Sequence, residues 1–430
     1  MRIIKYPQAS EWPQLLARPV MDISKIEAIV APILEQVKNG GDEALRKLTL
    51  QIDKVVLEHL QVTPAEIAEA HKQVSVALKN AIASAKSNIE RFHQAQQPQT
   101  IEKIETQPGV VCWRKNVGIQ KVGLYIPGGT APLFSTVLML GIPAAIAGCQ
   151  EIALCTPANR SGQVHPAILY AADIVGIRKI YKIGGAQAIA AMAYGTESIS
   201  KVFKIFGPGN QYVTAAKQLI NKEGIAIDMP AGPSEVAVYA DDSAHAGFIA
   251  ADLLSQAEHG TDSQVILVSA CEQLINQVKE EVDTQLKVLP RANLAEQALA
   301  NSKAFLVHTQ EEAIDLLNEY AAEHLILATA DAEIVGEKIV NAGSVFLGNY
   351  TPESCGDYAS GTNHTLPTNG FAKAYSGVSV DSFVKKITFQ HISPEGLLQL
   401  GPAVEEMAAA EELLAHKNAV SIRLKQLATS

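Results

Sequence analysis

The chain has 430 residues, of which 47% are hydrophobic and 19% charged, and its formal net charge is −10. This length exceeds what one hydrophobic core usually holds, so we expect two to four domains with large buried sheets. The acidic balance argues against a nucleic acid or an anionic membrane as partner, and the longest apolar run, residues 135–149, is too short to cross a bilayer.

The first hundred residues are predicted to be helical. Ser24 and Glu27 have the spacing of a capping box, and the helix they open should end at the Asn-Gly-Gly of residues 39–41. Thr63 and Glu66 form a second box, whose helix should extend to about residue 96. Packing and support of a dimer explain these helices without any chemistry.

From residue 122 onward short apolar runs alternate with helical patterns, which predicts βαβ units and parallel sheets. The predicted strands of the first half are 122–127, 151–157, 179–184 and 202–207, with helices near 132–147, 166–176, 186–194 and 211–221. Those of the second half are 235–240, 264–270, 304–308, 325–329 and 344–347, with helices at 243–260, 272–288, 311–323 and 332–342. The expected fold class is therefore α/β, with two Rossmann-like parallel-sheet domains facing each other and helical extensions at both termini.

This alternation predicts four parts of the chain. They are a helical N-terminal extension at 1–100, a first α/β domain at 101–233, a second at 234–370 and a helical tail at 371–430. A long polar loop at 348–370 closes the second α/β domain, and such loops are usually functional.

The helix predicted at 243–260, capped by Ser243 and ended by Gly260, carries a narrow polar stripe. Asp252, Ser255, Gln256 and His259 stand at i, i+3, i+4 and i+7, on one face of an otherwise apolar helix. Buried polar groups need partners, so this stripe faces either other side chains or a metal ion with its ligand.

Three glycine-rich turns follow predicted strands, at residues 127–129, 184–186 and 207–210. Each places free backbone N–H groups at the start of a helix, which suits a phosphate. None of the three is GxGxxG, so tight turns and a dinucleotide crevice both remain open.

A zinc site without cysteine needs His and carboxylate side chains from several elements. The five cysteines are odd in number and form no CxxC pair, which predicts a reducing cytoplasm and no cysteine framework for zinc. The candidates are His259, Asp357, His364, Glu323-His324 and His416, and spacing alone does not choose among them. We expect Glu323-His324 at a carboxyl edge of a sheet, where α/β active sites collect. A charged histidine stabilised by the dipole at the end of its helix would account for the pair equally well.

Seven motifs, in order along nearly the whole chain, resemble the histidinol dehydrogenase family. They are Tyr125-Ile126-Pro127-Gly128-Gly129, Ile205-Phe206-Gly207-Pro208-Gly209-Asn210, Asp228-Met229-Pro230-Ala231-Gly232-Pro233-Ser234-Glu235, Ser255-Gln256-Ala257-Glu258-His259-Gly260, Glu323-His324-Leu325, Gly356-Asp357-Tyr358-Ala359-Ser360-Gly361-Thr362-Asn363-His364 and Ala415-His416-Lys417-Asn418-Ala419-Val420. The first hundred residues and the insertion-like residues 159–164 carry none of them.

The resemblance implies a cytoplasmic homodimer, with one zinc ion per subunit, that oxidises L-histidinol to L-histidinal and then to L-histidine with two NAD. It assigns the sites as follows: zinc to Gln256, His259, Asp357 and His416; catalysis to Glu323 and His324; substrate binding to Ser234, Gln256, His259, His324, Asp357, Glu411 and His416; NAD to Tyr125, Gln187 and Asn210. The first α/β domain would then hold NAD and the second the metal and substrate, while the tail contributes from the same or the other subunit.

The chemistry agrees with these roles. His324 suits removal of the hydroxyl proton as hydride leaves, and Glu323 suits activation of the water that adds to the aldehyde. We expect the metal mainly to orient the substrate through its amine and an imidazole nitrogen. The alternatives are a related dehydrogenase of another polar alcohol such as a sulfonated diol, a metal-dependent hydrolase or aldolase, and a non-catalytic metal- or nucleotide-binding protein.

Overall fold

The structure is a computed structural model that describes residues 1–19, 23–97, 101–128, 132–230 and 232–429. It divides into two units, one made of the described parts of Met1–Gln96 and Ile119–Phe383, the other of those of Gln97–Gly118 and Val384–Ser430. The strands are β1 Arg2–Lys5, β2 Lys103–Gln107, β3 Val110–Gly118, β4 Lys121–Tyr125, β5 Glu151–Cys155, β6 Lys179–Tyr181, β7 Lys204–Phe206, β8 Ala226–Ile227, β9 Glu235–Ala240, β10 Gln264–Ser269, β11 Lys303–Leu306, β12 His324–Ala328, β13 Ser344–Leu347 and β14 Val384–Ile392.

The helices connect these strands in the pattern of βαβ units. They are α1 Trp12–Leu15, α2 Ile23–Leu48, α3 Pro64–Gln73, α4 Val76–Gln94, α5 Phe134–Ile146, α6 Pro166–Ile174, α7 Gly185–Tyr194, α8 Gln211–Lys222, α9 Ala246–Ala257, α10 Glu272–Leu286, α11 Ala292–Ala300, α12 Gln310–Tyr320, α13 Ala332–Gly336, α14 Glu353–Tyr358, α15 Pro394–Ala410 and α16 Leu414–Ala428. None of the helices in the described ranges is long and apolar enough to cross a membrane.

The first unit contains two parallel sheets. One has the strand order β6-β5-β4-β7-β8 and the other β1-β11-β10-β9-β12-β13. Every residue of β9 and β10 is buried, because helices cover both faces of a parallel sheet and its central strands are apolar throughout. The predicted α/β fold class is confirmed. The four-part division of the chain stays a prediction.

The N-terminal hundred residues differ from the helical prediction in three ways. β1 joins the edge of the six-stranded sheet by parallel pairing with β11. α2 does not end at Gly41 but kinks there, at φ +51°, and continues to Leu48. The helix opened by the Thr63–Glu66 capping box stops at Val74, and Ser75 caps a separate α4. The box predicted at Ser24 depends on a side chain outside the described residues.

The second unit is built around an antiparallel sheet of order β14-β3-β2, with α15 packed against α16. The tail was predicted to be helical, but β14 shows that it also contains a strand. In the first unit the polar loop after β13 contains α14, and α9 is shorter than residues 243–260. Ser243 does not cap α9, because its hydroxyl bonds Asp241 at 2.5 Å and the helix starts after His245.

Candidate active site

Glu323 and His324 lie where α12 turns into β12, next to the start of β9. Ala321 takes a left-handed conformation, φ +53°, which ends α12 and sends the chain into β12. The main chain of Glu235 holds both side chains: its N–H donates to Glu323 Oε2 at 2.9 Å, and its carbonyl oxygen lies 3.3 Å from His324 Nδ1. The prediction of a carboxyl edge was wrong, because a helix-to-strand junction delivers its residues to the amino end of the strand.

Both side chains are buried, and their pKa values are shifted. Burial raises the pKa of Glu323 to about 8, and the nearby His324 opposes this only in part. Burial disfavours the charged form of His324, but Glu323 and Asp357 outweigh it and raise the pKa of His324 to about 10. The Asp357 Oδ1 atom lies 3.1 Å from His324 Nε2, and Glu323 Oε2 lies 3.7 Å from Nδ1. The two acidic side chains that face His324 thus hold its pKa up, while burial acts in the opposite sense.

Gln256, in the last turn of α9, points its buried amide between two carboxyl groups. In one amide orientation its Nε2 lies 3.4 Å from Glu323 Oε2. With nitrogen and oxygen exchanged, the nitrogen donates to Glu353 Oε1 at 3.2 Å and the oxygen accepts from the Glu235 N–H at 3.0 Å. The exchanged orientation satisfies both ends of the amide and makes Glu353 a direct neighbour of Gln256.

α14 supplies two carboxylates to this site, Glu353 and, one turn later on the same face, Asp357. Glu353 is 1% exposed, and the hydroxyl of Ser255 lies 2.5 Å from its Oε1. Among the described residues its Oε2 has no hydrogen-bond partner, and burial raises its pKa to about 7. Burial likewise raises the pKa of Asp252 to about 7, whereas the bond to His324 outweighs burial and lowers that of Asp357. An unpartnered buried carboxylate is costly, so this cluster suits a cation or a donor.

Two further histidines approach Asp357. His259 follows the end of α9 and reaches solvent; the surrounding protein lowers its pKa, while the Asp357 carboxylate acts in the opposite sense. The ring of His364 lies 2.8 Å from the Asp357 carbonyl oxygen through Nδ1 and 3.1 Å from Thr136 Oγ1 through Nε2. His364, one of the histidines considered from the sequence but outside the ligand set that the resemblance assigned, thus orients the segment that carries Asp357.

Arg18, in the N-terminal segment, supports the site by binding the elements that carry it. The guanidinium of Arg18 donates to both carboxylate oxygens of Glu235, at 2.7 and 2.8 Å, and to the carbonyl of Tyr320 at 2.6 Å. It also stacks over the Tyr320 ring at 4.0 Å. Arg18 therefore ties the start of β9 to the end of α12, the two elements that position Glu323 and His324.

The structure brings together part of the predicted zinc set. Asp357 contacts His324, Gln256 contacts the adjacent Glu323, and His259 lies within electrostatic reach of Asp357. The fourth predicted ligand, His416, belongs to the second unit. Within the described ranges no group of three or more His, Cys, Asp or Glu side chains is arranged to hold a metal ion. The zinc site stays a prediction.

The remaining predicted substrate residues are Ser234, in the first unit, and Glu411, in the second. Ser234 immediately precedes β9, and its carbonyl accepts from the Gln264 N–H at 3.2 Å. In the second unit, Glu411 caps the end of α15 and His416 lies in α16, with both side chains exposed. Glu412, at φ +59°, separates the two helices, so Glu411 and His416 do not belong to one continuous helix.

The predicted NAD residues line a single cavity of about 1510 Å³ at the carboxyl ends of the five-stranded sheet. The hydroxyl of Tyr125 accepts from the Gly185 N–H at 3.0 Å, and Gln187 Nε2 donates to Asp53 at 3.1 Å. Asn210 caps α8 by accepting from two backbone N–H groups, at 3.1 and 3.2 Å. This arrangement supports the dinucleotide reading of the glycine-rich turns.

Two of those turns depend on glycine. Gly207 has φ +130°, and a Cβ there would collide with the Tyr125 carbonyl. Its main chain is fixed by Lys217, which donates to its carbonyl at 2.9 Å, and by Asp228, which accepts from its N–H at 2.8 Å. Gly185 has φ +63°. In the turn at 127–129, Gly129 lies outside the described residues.

Sequence reasoning missed Glu353 and Arg18, and it took the first hundred residues for support alone. The only sequence signal for Glu353 was its spacing, four residues before Asp357. Asp53 and the apolar side chains of Ile29, Ile33 and Ile52 line the same cavity as Tyr125. The N-terminal helices are therefore part of a cavity wall.

Comparisons with known proteins agree on one family. The family model described as histidinol dehydrogenase matches residues 16–424. The histidinol dehydrogenase of Bacteroides fragilis (strain YCH46) is 61% identical over 427 residues, covering 99% of this chain and 100% of its own length. That of Pectobacterium atrosepticum is 52% identical, covering 96% of this chain and 93% of its own. The crystal structure of histidinol dehydrogenase from Elizabethkingia anophelis matches with a TM-score of 0.97 and 55% identity, covering 99% of this chain and 98% of that one.

Proposed function

Because this chain belongs to the histidinol dehydrogenase family, we propose that it oxidises L-histidinol through L-histidinal to L-histidine, in the last steps of histidine biosynthesis. The observation that carries the proposal is the family match over residues 16–424. The buried Glu323-His324 pair beside a carboxylate cluster supports it, since two oxidations need bases next to a site that can hold a polar substrate.

The test is the stoichiometry of NADH formation. Purified protein supplied with limiting L-histidinol and excess NAD should form two NADH per histidinol, and with L-histidinal one. Formation of no NADH from histidinol would refute the proposal, and one NADH per histidinol would restrict the enzyme to the alcohol step.

The two catalytic candidates have distinct tasks. In the alcohol step His324 accepts the hydroxyl proton as hydride passes to NAD. In the second step Glu323 removes a proton from the water that adds to the aldehyde, and His324 again takes the proton of the hydrate oxygen as the second hydride leaves. The Glu235 main chain holds both groups against the same strand, which keeps them at a fixed separation through the two steps.

The family implies a metal ion, and we propose zinc bound by Gln256, His259, Asp357 and His416. The donor set is compatible with this, since carboxylate, imidazole and amide oxygen all bind zinc and the orphaned Glu353 oxygen leaves uncompensated negative charge nearby. When bound, the ion would hold the amine and imidazole nitrogen of the substrate and draw the Asp357 charge away from His324. Glu353 would accept from the Gln256 amide nitrogen, fixing the side chain's orientation.

For the second cofactor, which the family implies to be NAD, we propose contacts with Tyr125, Gln187 and Asn210. The support is their common cavity at the carboxyl ends of β4 to β7, where open parallel sheets bind dinucleotides. The first α/β region would then hold the nicotinamide cofactor and the second the substrate.

We further propose a cytoplasmic homodimer in which Ser234, Glu411 and His416 complete the substrate site, the last two from the same or the partner subunit. The second unit exposes large apolar side chains along β14 and its two helices, which favours a protein partner. They are Ile387, Phe389, Ile392, Leu398, Met407, Leu413, Leu414 and Ile422. Light scattering would test the dimer. If the site is shared, mixing Glu323→Gln and His416→Ala subunits should restore formation of histidine, the product that each impaired variant fails to make efficiently alone.

A further inference from the structure

The segment after β5, residues 156–165, forms part of the cavity wall although it carries no family motif. β5 lies next to β4 and β6 in the sheet, so this segment emerges beside the turns that present Tyr125 and Gln187. Pro157 packs closely against Gly128 and Gly184, the glycines that follow β4 and β6. The root of the segment is thereby fixed between two turns of the proposed cofactor site.

The tip of this segment is a well-ordered loop. The side chain of Asn159 accepts from the N–H groups of Ser161 at 2.9 Å and Gln163 at 3.0 Å. Its backbone N–H donates to the Gln163 carbonyl at 2.8 Å, and Gly162, at φ +74°, closes the turn. Such a self-bonded turn holds its tip residue, Arg160, in place without help from the rest of the protein.

The cavity has an uneven charge distribution. Among the described residues that line it, Arg160 is the sole Lys or Arg, against the carboxylates of Asp53, Glu66 and Glu69. Glu66 is paired with Lys182 and Glu69 with Lys72. Arg160 is exposed and has no ion pair or side-chain hydrogen bond with any residue in the described ranges. An anionic ligand in this cavity has one guanidinium available to it.

We propose that Arg160 binds a phosphate on the adenosine half of the dinucleotide, an inference that rests on the proposed use of NAD. The guanidinium fork matches a phosphate and forms paired, charge-assisted hydrogen bonds. In doubly wound sheets the chain after the second strand faces the adenosine ribose, next to the pyrophosphate at the turn after the first strand. β5, which follows β4 and pairs with it, occupies the place of that second strand here. The apolar side chains of Ile29, Ile33 and Ile52, which line the same cavity, suit the adenine ring.

The test compares ligand fragments by calorimetry on the full-length protein carrying Arg160→Gln, Arg160→Lys or the control Arg178→Gln. Arg178 is an exposed arginine outside the cavity lining, so its replacement removes the same charge elsewhere. The fragments are adenosine, 5′-AMP, 2′-AMP and ADP-ribose. We expect Arg160→Gln to weaken ADP-ribose by about tenfold and to leave adenosine unchanged, with Arg160→Lys in between.

The fragments also identify the phosphate. A loss for 5′-AMP and ADP-ribose but not for 2′-AMP assigns Arg160 to the pyrophosphate and supports the proposal, whereas a loss confined to 2′-AMP would overturn it, because NAD carries no phosphate at the ribose 2′ position. Equal binding of every fragment by the wild type and Arg160→Gln, or an equal loss for adenosine, would overturn the proposal. If the wild type binds none of the fragments and makes no NADH, the proposed cofactor site itself fails.

Discussion

Replacement of Glu353 by Gln should make the metal-free protein more stable and the metal complex weaker. Glu353 is 1% exposed, and its pKa rises from the ordinary 4.5 to about 7 because burial disfavours the charged form. At about 1.36 kcal/mol per pH unit, this difference of 2.5 corresponds to a cost of about 3 kcal/mol for folding with the group ionised. A neutral amide of the same shape avoids that cost and can still accept from Ser255.

The direction of the pH dependence follows from the raised pKa. Between pH 4.5 and 7 the folded state holds a proton on Glu353 that the unfolded state has lost, so stability falls as the pH rises through this range. In urea unfolding of the metal-free protein, the free energy of unfolding of Glu353→Gln relative to that of the wild type should therefore increase by about 2 to 3 kcal/mol between pH 5 and pH 8. The exposed Glu337→Gln serves as the control and should show no such change.

Metal affinity should change in the opposite direction. If Glu353 orients Gln256, its replacement by Ala should weaken zinc binding by about 10 to 100-fold in competition with a chelator, and Gln should retain part of the affinity. A stability difference that does not vary with pH would refute the assignment of the buried charge. Unchanged zinc affinity in Glu353→Ala would refute the role in orienting Gln256.

Four further substitutions test the rest of the site. Glu323→Gln should stall the aldehyde step more than the alcohol step, whereas His324→Asn should impair both. The NADH yields from histidinol and from histidinal measure the two effects. Equal losses at both steps in Glu323→Gln would reject the division of tasks. Since burial raises the pKa of Glu323 to about 8, the aldehyde step should speed up as the pH rises through that value. Asp357→Ala should release zinc, measured by elemental analysis against the wild type. Arg18→Ala should cost about 3 to 5 kcal/mol in urea unfolding because it leaves the buried Glu235 carboxylate without its partner. Lys5→Ala, in an exposed pair, should leave the free energy of unfolding nearly unchanged; similar costs for both would contradict the supporting role of Arg18.

The parallel sheets could be predicted because each of their central strands is recognisable from its own local sequence pattern. A strand buried on both faces, such as β9 or β10, is a short apolar run between turn residues, and the sequence shows this directly. The capping box at Thr63 was equally local and is confirmed. β1 and β14 were missed since exposed or edge strands have no apolar run, and their partners lie hundreds of residues away.

The candidate site was predictable by motif but not by geometry. Spacing linked Gln256 with His259, yet nothing local places Asp357 against His324, because α14 and β12 meet only through the tertiary fold. Glu353 and Arg18 were not predicted for the same reason, because each acts through a contact with a segment that is distant in the sequence. The position of Glu323-His324 at the amino end of β12 could have been predicted, because a strand that follows a helix begins at its amino end. The sequence analysis placed the pair at the carboxyl end instead.

The pairing of β1 with β11 has a consequence for synthesis on the ribosome. β1 lies about 300 residues before its partner, Lys303–Leu306, so it leaves the exit tunnel that much earlier. At a rate of about 5 to 20 residues per second, this strand waits roughly 15 to 60 seconds with an open edge. Arg18 waits about as long for Tyr320, so a nascent chain assembles the elements that position Glu323 and His324 late.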